Sequence, residues 1–306
     1  MATTLLLGGS GFLSGAMARG ALSRRDHVFT LTRGQRGGMG GVTPLLADRN
    51  DAAAFSAALA TAAAPAFFEL VIDSIGFTAA HAQQDLDTFF PEDAPARAGH
   101  LVFISSDFVP SPIDRPFFID ETYDRFDTAP YGAGKRAAEE VLLTAARARG
   151  LPITVLRPCH IYGPGSLLGC LPLHGRDPEL LNRLRGVQPL RLLGNGHFLQ
   201  HPVYVDDLVA MALACPALPA TRGELYFAAG PDIVESREFY RIVARHLGVE
   251  ATIEEASIAD YLKQFPEHRA FCCHRLYRLD KARAHGLPLP ATSLVEGLRR
   301  HVASLT

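Results

Sequence analysis

The sequence predicts an α/β protein: a doubly wound parallel sheet with helices on both faces, followed by a smaller C-terminal region. Three observations carry this. Short apolar runs alternate with helical stretches through the first half of the chain. The runs are apolar almost without interruption, as strands covered on both faces must be. Glycines crowd the turn between the first run and the first helix.

The elements follow in order. Thr3–Leu7 reads as the first strand, Gly8-Gly9-Ser10-Gly11 as its turn and about Phe12–Leu22 as the first helix. Val28–Thr32 and Val42–Leu46 read as strands, Asp51–Ala62 as a helix, Leu70–Asp73 as a strand and Ala79–Phe90 as a helix. Leu101–Ser105 is a fifth strand, Tyr131–Arg149 a long helix and Ile153–Leu156 a sixth strand. After Gly163 the rhythm breaks at Pro164, Gly165, Pro172, Gly175, Pro178, Gly186 and Pro189, and a second region begins. A helix near Val205–Ala214 and a strand near Glu224–Ala228 read as returns to the main sheet, and Val234–Pro290 supplies further helices and short strands. Residues 1–163, with returns at about 201–230, form the expected first domain, and 164–306 mainly a substrate-binding region.

Length and composition agree. At 306 residues the chain holds about two domains, or one domain with a large elaboration. With 48% hydrophobic and 20% charged residues, disorder, collagen and a disulfide-stapled mini-fold are excluded. Thirty basic against thirty-two acidic residues leave no excess of positive charge, so no nucleic-acid partner is expected. Five cysteines, odd in number and without C-x-x-C spacing, suit a reducing cytoplasm and neither a disulfide framework nor a zinc ribbon. The uncharged first 18 residues lack a basic start and break at the glycines, and Ala52–Phe68 is too rich in alanine and too interrupted to span a bilayer. No membrane segment is expected.

The glycine turn has the position of a dinucleotide-binding, Rossmann-type loop. Glycine lets the backbone approach a diphosphate, and the helix start offers free N–H groups and a positive dipole end. Gly8, Ser10, Gly11, Phe12 and Leu13 are the candidate contacts, with Ser14 small enough to stand where a third glycine is usual. The second strand ends Thr32-Arg33-Gly34-Gln35-Arg36, with two guanidiniums and no carboxylate, which favours the 2′-phosphate of NADP over the ribose hydroxyl of NAD. Asp48 is a candidate acceptor for the adenine amino group, and equally a turn residue.

Tyr131 and Lys135 lie four apart at the start of a helix, on one face. A cation beside a phenol favours the phenolate and brings it towards a working range for acid–base chemistry. Ser105-Ser106-Asp107 stands where the fifth strand ends, and doubly wound sheets bind ligands at carboxyl ends of strands. Ser106 is the hydroxyl chosen to bond a substrate oxygen.

These pieces resemble the extended short-chain dehydrogenase/reductases of the NAD-dependent epimerase/dehydratase type. The likeness runs in order over nearly the whole chain: the loop at 8–14, Ile104-Ser105-Ser106, Tyr131 with Lys135, Leu156-Arg157-Pro158 into Ile161–Gly165, Val205-Asp206-Asp207-Leu208, and Leu279–Ala282 with Leu294–Leu298. It implies a bound NAD or NADP, Tyr131 as general acid/base, Lys135 bonding the nicotinamide ribose and tuning Tyr131, and Ser106 polarising the reacting oxygen. It also implies that Pro158 to His160 lie near the nicotinamide, that Ser74, Ile75 and Gly76 lie near the diphosphate and ribose, and that a homodimer forms through the helices at Ala79–Phe90 and Tyr131–Arg149. Nucleotide-sugar members often carry arginine where this chain has Gln200, which removes a charged partner for a diphosphate. Val71–Phe77 is also closer to atypical members, including those likened to chloroplast RNA-binding proteins.

Other residues were weighed as ligands. His160, His174, His197, His201, His268 and His274 show no metal spacing, and Cys272-Cys273-His274 lacks a fourth ligand, so no metal is expected. Arg183, Arg185, Arg191, Arg269 and Arg275 read mostly as solvated, and Asp206 and Asp207 as helix-orienting residues. The resulting expectation is hydride transfer at a secondary alcohol of a sugar or sugar nucleotide, as an epimerase. An NADP-dependent reductase of a small carbonyl compound is the first alternative, and a non-catalytic RNA- or cofactor-binding protein the second. A dehydratase would need an acid at position 108, which is phenylalanine.

Overall fold

The computed structural model describes residues 1–61, 64–173 and 175–306, so Ala62, at the end of an expected helix, and His174 lie outside the described residues. The strands β1 (Thr3–Leu7), β2 (His27–Thr32), β3 (Val42–Leu46), β4 (Leu70–Asp73) and β5 (Leu101–Ile104) join Ile153–Pro158 and Glu224–Ala228 in one sheet. Its order is Glu224–Ala228, Ile153–Pro158, β5, β4, β1, β2, β3, with every pairing parallel. The chain runs outward from β1 through β2 and β3, then crosses back to β4 on the other side of β1. That reversal opens a crevice at the carboxyl ends of the strands, where ligands bind in such sheets.

Strand alternation explains the unbroken apolar runs. Leu5, Leu7, Leu101 and Phe103 face one core, and Leu6, Val102 and Ile104 face the other. On the first side pack α2 (Ala52–Leu59), α3 (Ala79–Phe89) and α4 (Pro130–Arg149), through Phe55, Leu86, Phe89 and Leu142. On the other lie α1 (Phe12–Ser23) and the helix Val205–Ala214, through Met17, Leu208 and Met211. A third cluster, around Tyr162, Leu180, Phe239 and Leu298, is the core of the C-terminal part.

Local signals set the helix ends. Asp51 caps α2 by accepting from Ala54 N at 2.9 Å, and Thr78 caps α3 by accepting from His81 N at 3.2 Å. α4 begins with Pro130 at its first turn and ends at Gly150 with φ of 66°. Two strand ends differ from expectation. β5 ends at Ile104, although Ser105 N still donates to Leu156 O at 2.7 Å, and the next strand runs on to Pro158 because Arg157 and Pro158 pair with Phe227 and Ala228.

One buried group makes stability depend on pH. His100, 1% exposed, contacts Thr154 Oγ1 through Nε2 at 2.8 Å, and burial, aided by Arg222, pushes its pKa down to about 4. The folded protein keeps the ring neutral, whereas an unfolded histidine takes a proton near pH 6.5. This contribution is therefore complete above about pH 6.5 and is lost as pH falls towards 4. Between pH 7.5 and 5 it amounts to about 2 kcal/mol. Urea unfolding at the two pH values measures it, and His100→Gln is expected to flatten that part of the profile.

Candidate active site

The turn after β1 opens the site. Gly8 and Gly9 adopt φ of 106° and 134°, where side chains are strained. A Cβ on Gly8 would meet Ser74 Oγ at 2.8 Å, and one on Gly9 would meet Thr30 Cγ2 at 2.5 Å. Gly11 precedes α1 and its N–H donates to Ser14 Oγ at 3.1 Å, so the serine at the third glycine's place braces the loop from inside. No acidic residue occupies the first turn of α1, which leaves its positive end available to a diphosphate.

From this loop a cavity of about 390 Å³ reaches the ends of β2 and β3, walled by Gly8, Ser10, Arg33, Arg36 and Asp48 among others. Arg36 Nη1 donates to Ser10 O at 3.3 Å, and neither Arg33 nor Arg36 has an ion pair among the described residues. Asp48 Oδ1 accepts from Asn50 N and Nδ2 at 3.0 and 2.9 Å, and the Asn50 backbone bond holds its carboxyl below the usual range. Of the two readings of Asp48, the turn residue is the one its bonds show.

A second cavity, of about 700 Å³, shares Gly11, Ser14, Ile75 and Phe77 with the first, so the two form one cleft. Phe12, Leu13, Ser74, Ile75, Ser106, Tyr131, Lys135, Pro158 and His160 all line it. Gly76 lines neither cavity. It is buried, and a Cβ there would run into Asp73 and Phe103, so it is a spacer behind the wall while Phe77 supplies the wall itself.

At the reacting end, Tyr131 is half-exposed between the rings of Phe77 and Phe108, with centroids at 6.4 and 6.1 Å. Burial of the phenol raises its pKa above the ordinary value, while a hydrogen bond with Ser106 pulls the other way, Asp107 raises it and Arg176 lowers it. Lys135 is not among these influences. Its Nζ donates to Ile104 O at 2.6 Å and lies 4.7 and 4.9 Å from the ring centres of Phe77 and Phe103. Burial holds its pKa down at about 8, against the pull of Asp73 and Glu139. Lys135, expected to tune the phenol, shares the cavity with Tyr131, and its ammonium is engaged there by the Ile104 carbonyl oxygen. Ser106 Oγ accepts from Phe108 N at 3.2 Å and lines the cleft. Ser105 is spoken for, donating to Glu139 Oε1 at 2.5 Å.

Three buried charge clusters hold this arrangement, and the sequence alone pointed to none of them. Arg157 grips Glu139 with Nε–Oε1 at 2.8 Å and Nη2–Oε2 at 2.5 Å, fastening α4 one turn beyond Lys135. Arg49 donates to Asp73 at 2.7 Å and Asp85 at 2.8 Å, joining the loop after β3 to the end of β4. Burial and the Asp73 carboxylate push Asp85 well above the usual range. Arg275, expected among solvated arginines, is 3% exposed and pairs with Asp107 at 2.9 Å. Charged residues inside apolar strand ends, at 73 and 157, were the available signal, but a single sequence does not reveal their partners. Elsewhere, Asp207 orients a loop by accepting from Ala291 N, Thr292 N and Thr292 Oγ1, and His274 Nδ1 accepts from Leu199 N at 3.0 Å.

Comparison with known proteins agrees with this fold. Residues 4–224 match the NAD dependent epimerase/dehydratase family model. A 2-alkyl-3-oxoalkanoate reductase of Stenotrophomonas maltophilia (strain K279a) is 28% identical over 333 residues, covering 98% of each chain. Among solved structures, a UDP-glucose 4-epimerase of Thermotoga maritima with UDP-glucose superposes with a TM-score of 0.77 at 18% identity, covering 99% of this chain and 98% of that one. A dTDP-glucose 4,6-dehydratase of Bacillus anthracis in complex with NAD gives 0.77 at 15% identity, covering 99% and 96%. The match begins at β1 and ends at the last strand of the main sheet, taking in the glycine turn, the Tyr131 helix and every strand between: the chain belongs to the NAD-dependent epimerase/dehydratase family.

Proposed function

We propose that the protein is an NADP(H)-dependent reductase, and in reverse a dehydrogenase, of a mainly apolar ketone. The observation that carries this reading is the wall facing Tyr131. It includes Phe108, Leu171, Ala270 and Phe271 beside Asp127, His160 and Glu267, and among the described residues its cations are two arginines. One of these, Arg275, is consumed by Asp107, and the other, Arg176, is exposed and is a single cation felt by Tyr131 and His160. A nucleotide diphosphate calls for several free cations, preferably bidentate. Gln200 adds nothing, being fully buried and outside both cavities. The expected sugar nucleotide is therefore the less favoured substrate. The name of the S. maltophilia relative describes reduction of a 2-alkyl-3-oxoalkanoate, a ketone on an alkyl chain that ends in a carboxylate, and apolar walls suit its alkyl part.

The chain's own groups have these roles. The glycine turn and the start of α1 hold the diphosphate, and Arg33 and Arg36 receive a 2′-phosphate. When bound, the dinucleotide supplies the hydride. Ser106 and Tyr131 hold the carbonyl oxygen, and the protonated phenol gives its proton to that oxygen as it becomes an alkoxide. Lys135 positions the ribose side of the cleft. Asp107 is engaged by Arg275 and Tyr277, both donating to its Oδ2, so it is held to the wall and away from substrate.

The test follows NADPH absorbance with 3-oxo esters of short and long alkyl chain, beside UDP-glucose and UDP-galactose. Stoichiometric consumption with the esters is expected. Interconversion of the two sugars without net consumption would overturn the reading. Replacing both Arg33 and Arg36 by alanine is expected to weaken NADPH at least about tenfold relative to NADH, read as the ratio of dissociation constants.

A further inference from the structure

Asp107 sits between Ser106 and Phe108, and it is held from the far end of the chain. Arg275 Nη1 donates to Asp107 Oδ2 at 2.9 Å, and the Tyr277 hydroxyl donates to the same oxygen at 2.8 Å. The two charged side chains are 3% and 5% exposed. The other arm of the guanidinium, Nη2, donates to Ala270 O at 2.7 Å, and its centre lies 4.2 Å from the middle of the Phe108 ring. Phe108 in turn meets Tyr131 and Phe271 edge-on, at 6.1 and 5.6 Å. One guanidinium thus touches the two residues that follow Ser106 and the segment that walls the cavity opposite.

We infer that Arg275 is a positioning residue for the reaction at Tyr131. Through Asp107 and Phe108 it sets the Ser106 hydroxyl against the phenol, and through Ala270 it ties that setting to the wall at 270–271. The inference rests on the reductase reading for the claim that Ser106 touches substrate. A buried ion pair contributes little net stability compared with an apolar pair of the same volume, so its effect is expressed in geometry. A hydroxyl displaced by about an ångström loses a large part of its effect on rate.

The experiment compares wild type with Arg275→Met, Arg275→Lys and the double variant Asp107→Asn/Arg275→Met. The double variant leaves no stranded charge and folds even where the single one does not. Three readouts are taken: amide hydrogen exchange at residues 107–109, NADPH dissociation constant, and kcat and KM with NADPH and a 3-oxo ester. Exchange at 107–109 is expected to rise at least about tenfold in the single and double methionine variants. kcat is expected to fall about ten- to a hundredfold, with KM and NADPH affinity within about threefold. Lysine at 275, which keeps one bond to Asp107, is expected to recover part of kcat. Unchanged exchange and kcat in the double variant would overturn the inference. So would losses of kcat, KM and NADPH affinity that move together with a general rise in exchange, since that is the behaviour of a merely structural pair. If wild type consumes no NADPH with any ester, the functional reading fails on that result, while exchange at 107–109 still decides whether the clamp holds the loop.

Discussion

Tyr131→Phe is expected to lower ketone reduction by about 10²- to 10⁴-fold while NADPH binds within about twofold of wild type. The phenylalanine keeps the ring between Phe77 and Phe108 and removes only the oxygen, so packing is preserved and the proton donor is lost. Stopped-flow hydride transfer separates this from a binding defect. The direction of the phenol's shift adds a pH signature. A general acid must be protonated, and burial raises this phenol above its ordinary value. The reductive rate in wild type is therefore expected to stay level through neutral pH and to fall only in the alkaline range. A rate that instead rises steadily with pH would mean that the phenolate is the working form and that the oxidative direction is favoured. Unchanged turnover in Tyr131→Phe would remove the residue from the mechanism altogether.

Arg157→Met is expected to destabilise the fold by about 3–5 kcal/mol. The Glu139 carboxylate is fully buried, and this variant leaves it with Ser105 and the more distant Arg136, at 3.8 Å, in place of its bidentate partner. For a chain of 306 residues the change corresponds to a fall in Tm of roughly 5–8 °C. The double variant Arg157→Met/Glu139→Gln removes both charges and is expected to regain most of the loss, because stranding one ion is what costs stability. Calorimetry on the two variants decides the matter: equal losses would show that the pair acts only by filling space. Glu139 lies one turn beyond Lys135 on α4, so the single variant is also expected to loosen the Lys135 bond to Ile104 O. NADPH affinity reads that loosening in the fraction that remains folded.

The proposed reductase and the family's epimerases and dehydratases share a sheet and a glycine turn. On the proposed reading, the outcome is set by what faces the phenol. Here phenylalanine at 108 and 271 and a clamped Asp107 occupy positions where polar contacts and a proton donor would serve other outcomes. Ser105 and Ser106 are adjacent and both line the cleft, but Ser105 donates to the buried Glu139 carboxylate while Ser106 Oγ accepts from Phe108 N.

By itself the sequence determined the periodic elements. Apolar runs at Thr3–Leu7 and Leu101–Ile104 and the glycine turn are written in neighbouring residues, because strand alternation and tight turns are local physics. It also brought forward Ser106, Tyr131 and the loop at 8–13, since carboxyl ends of parallel strands and a helix start are where ligands meet backbone dipoles. The tertiary structure alone decided the partners of charge. That Lys135 turns to Ile104 O, that Gly76 is a spacer, and that Arg275 reaches Asp107 across 168 residues depend on which segments burial forces together. In a low-dielectric interior an ion is stable only beside its partner, and that partner is chosen by packing, which no spacing along the chain records.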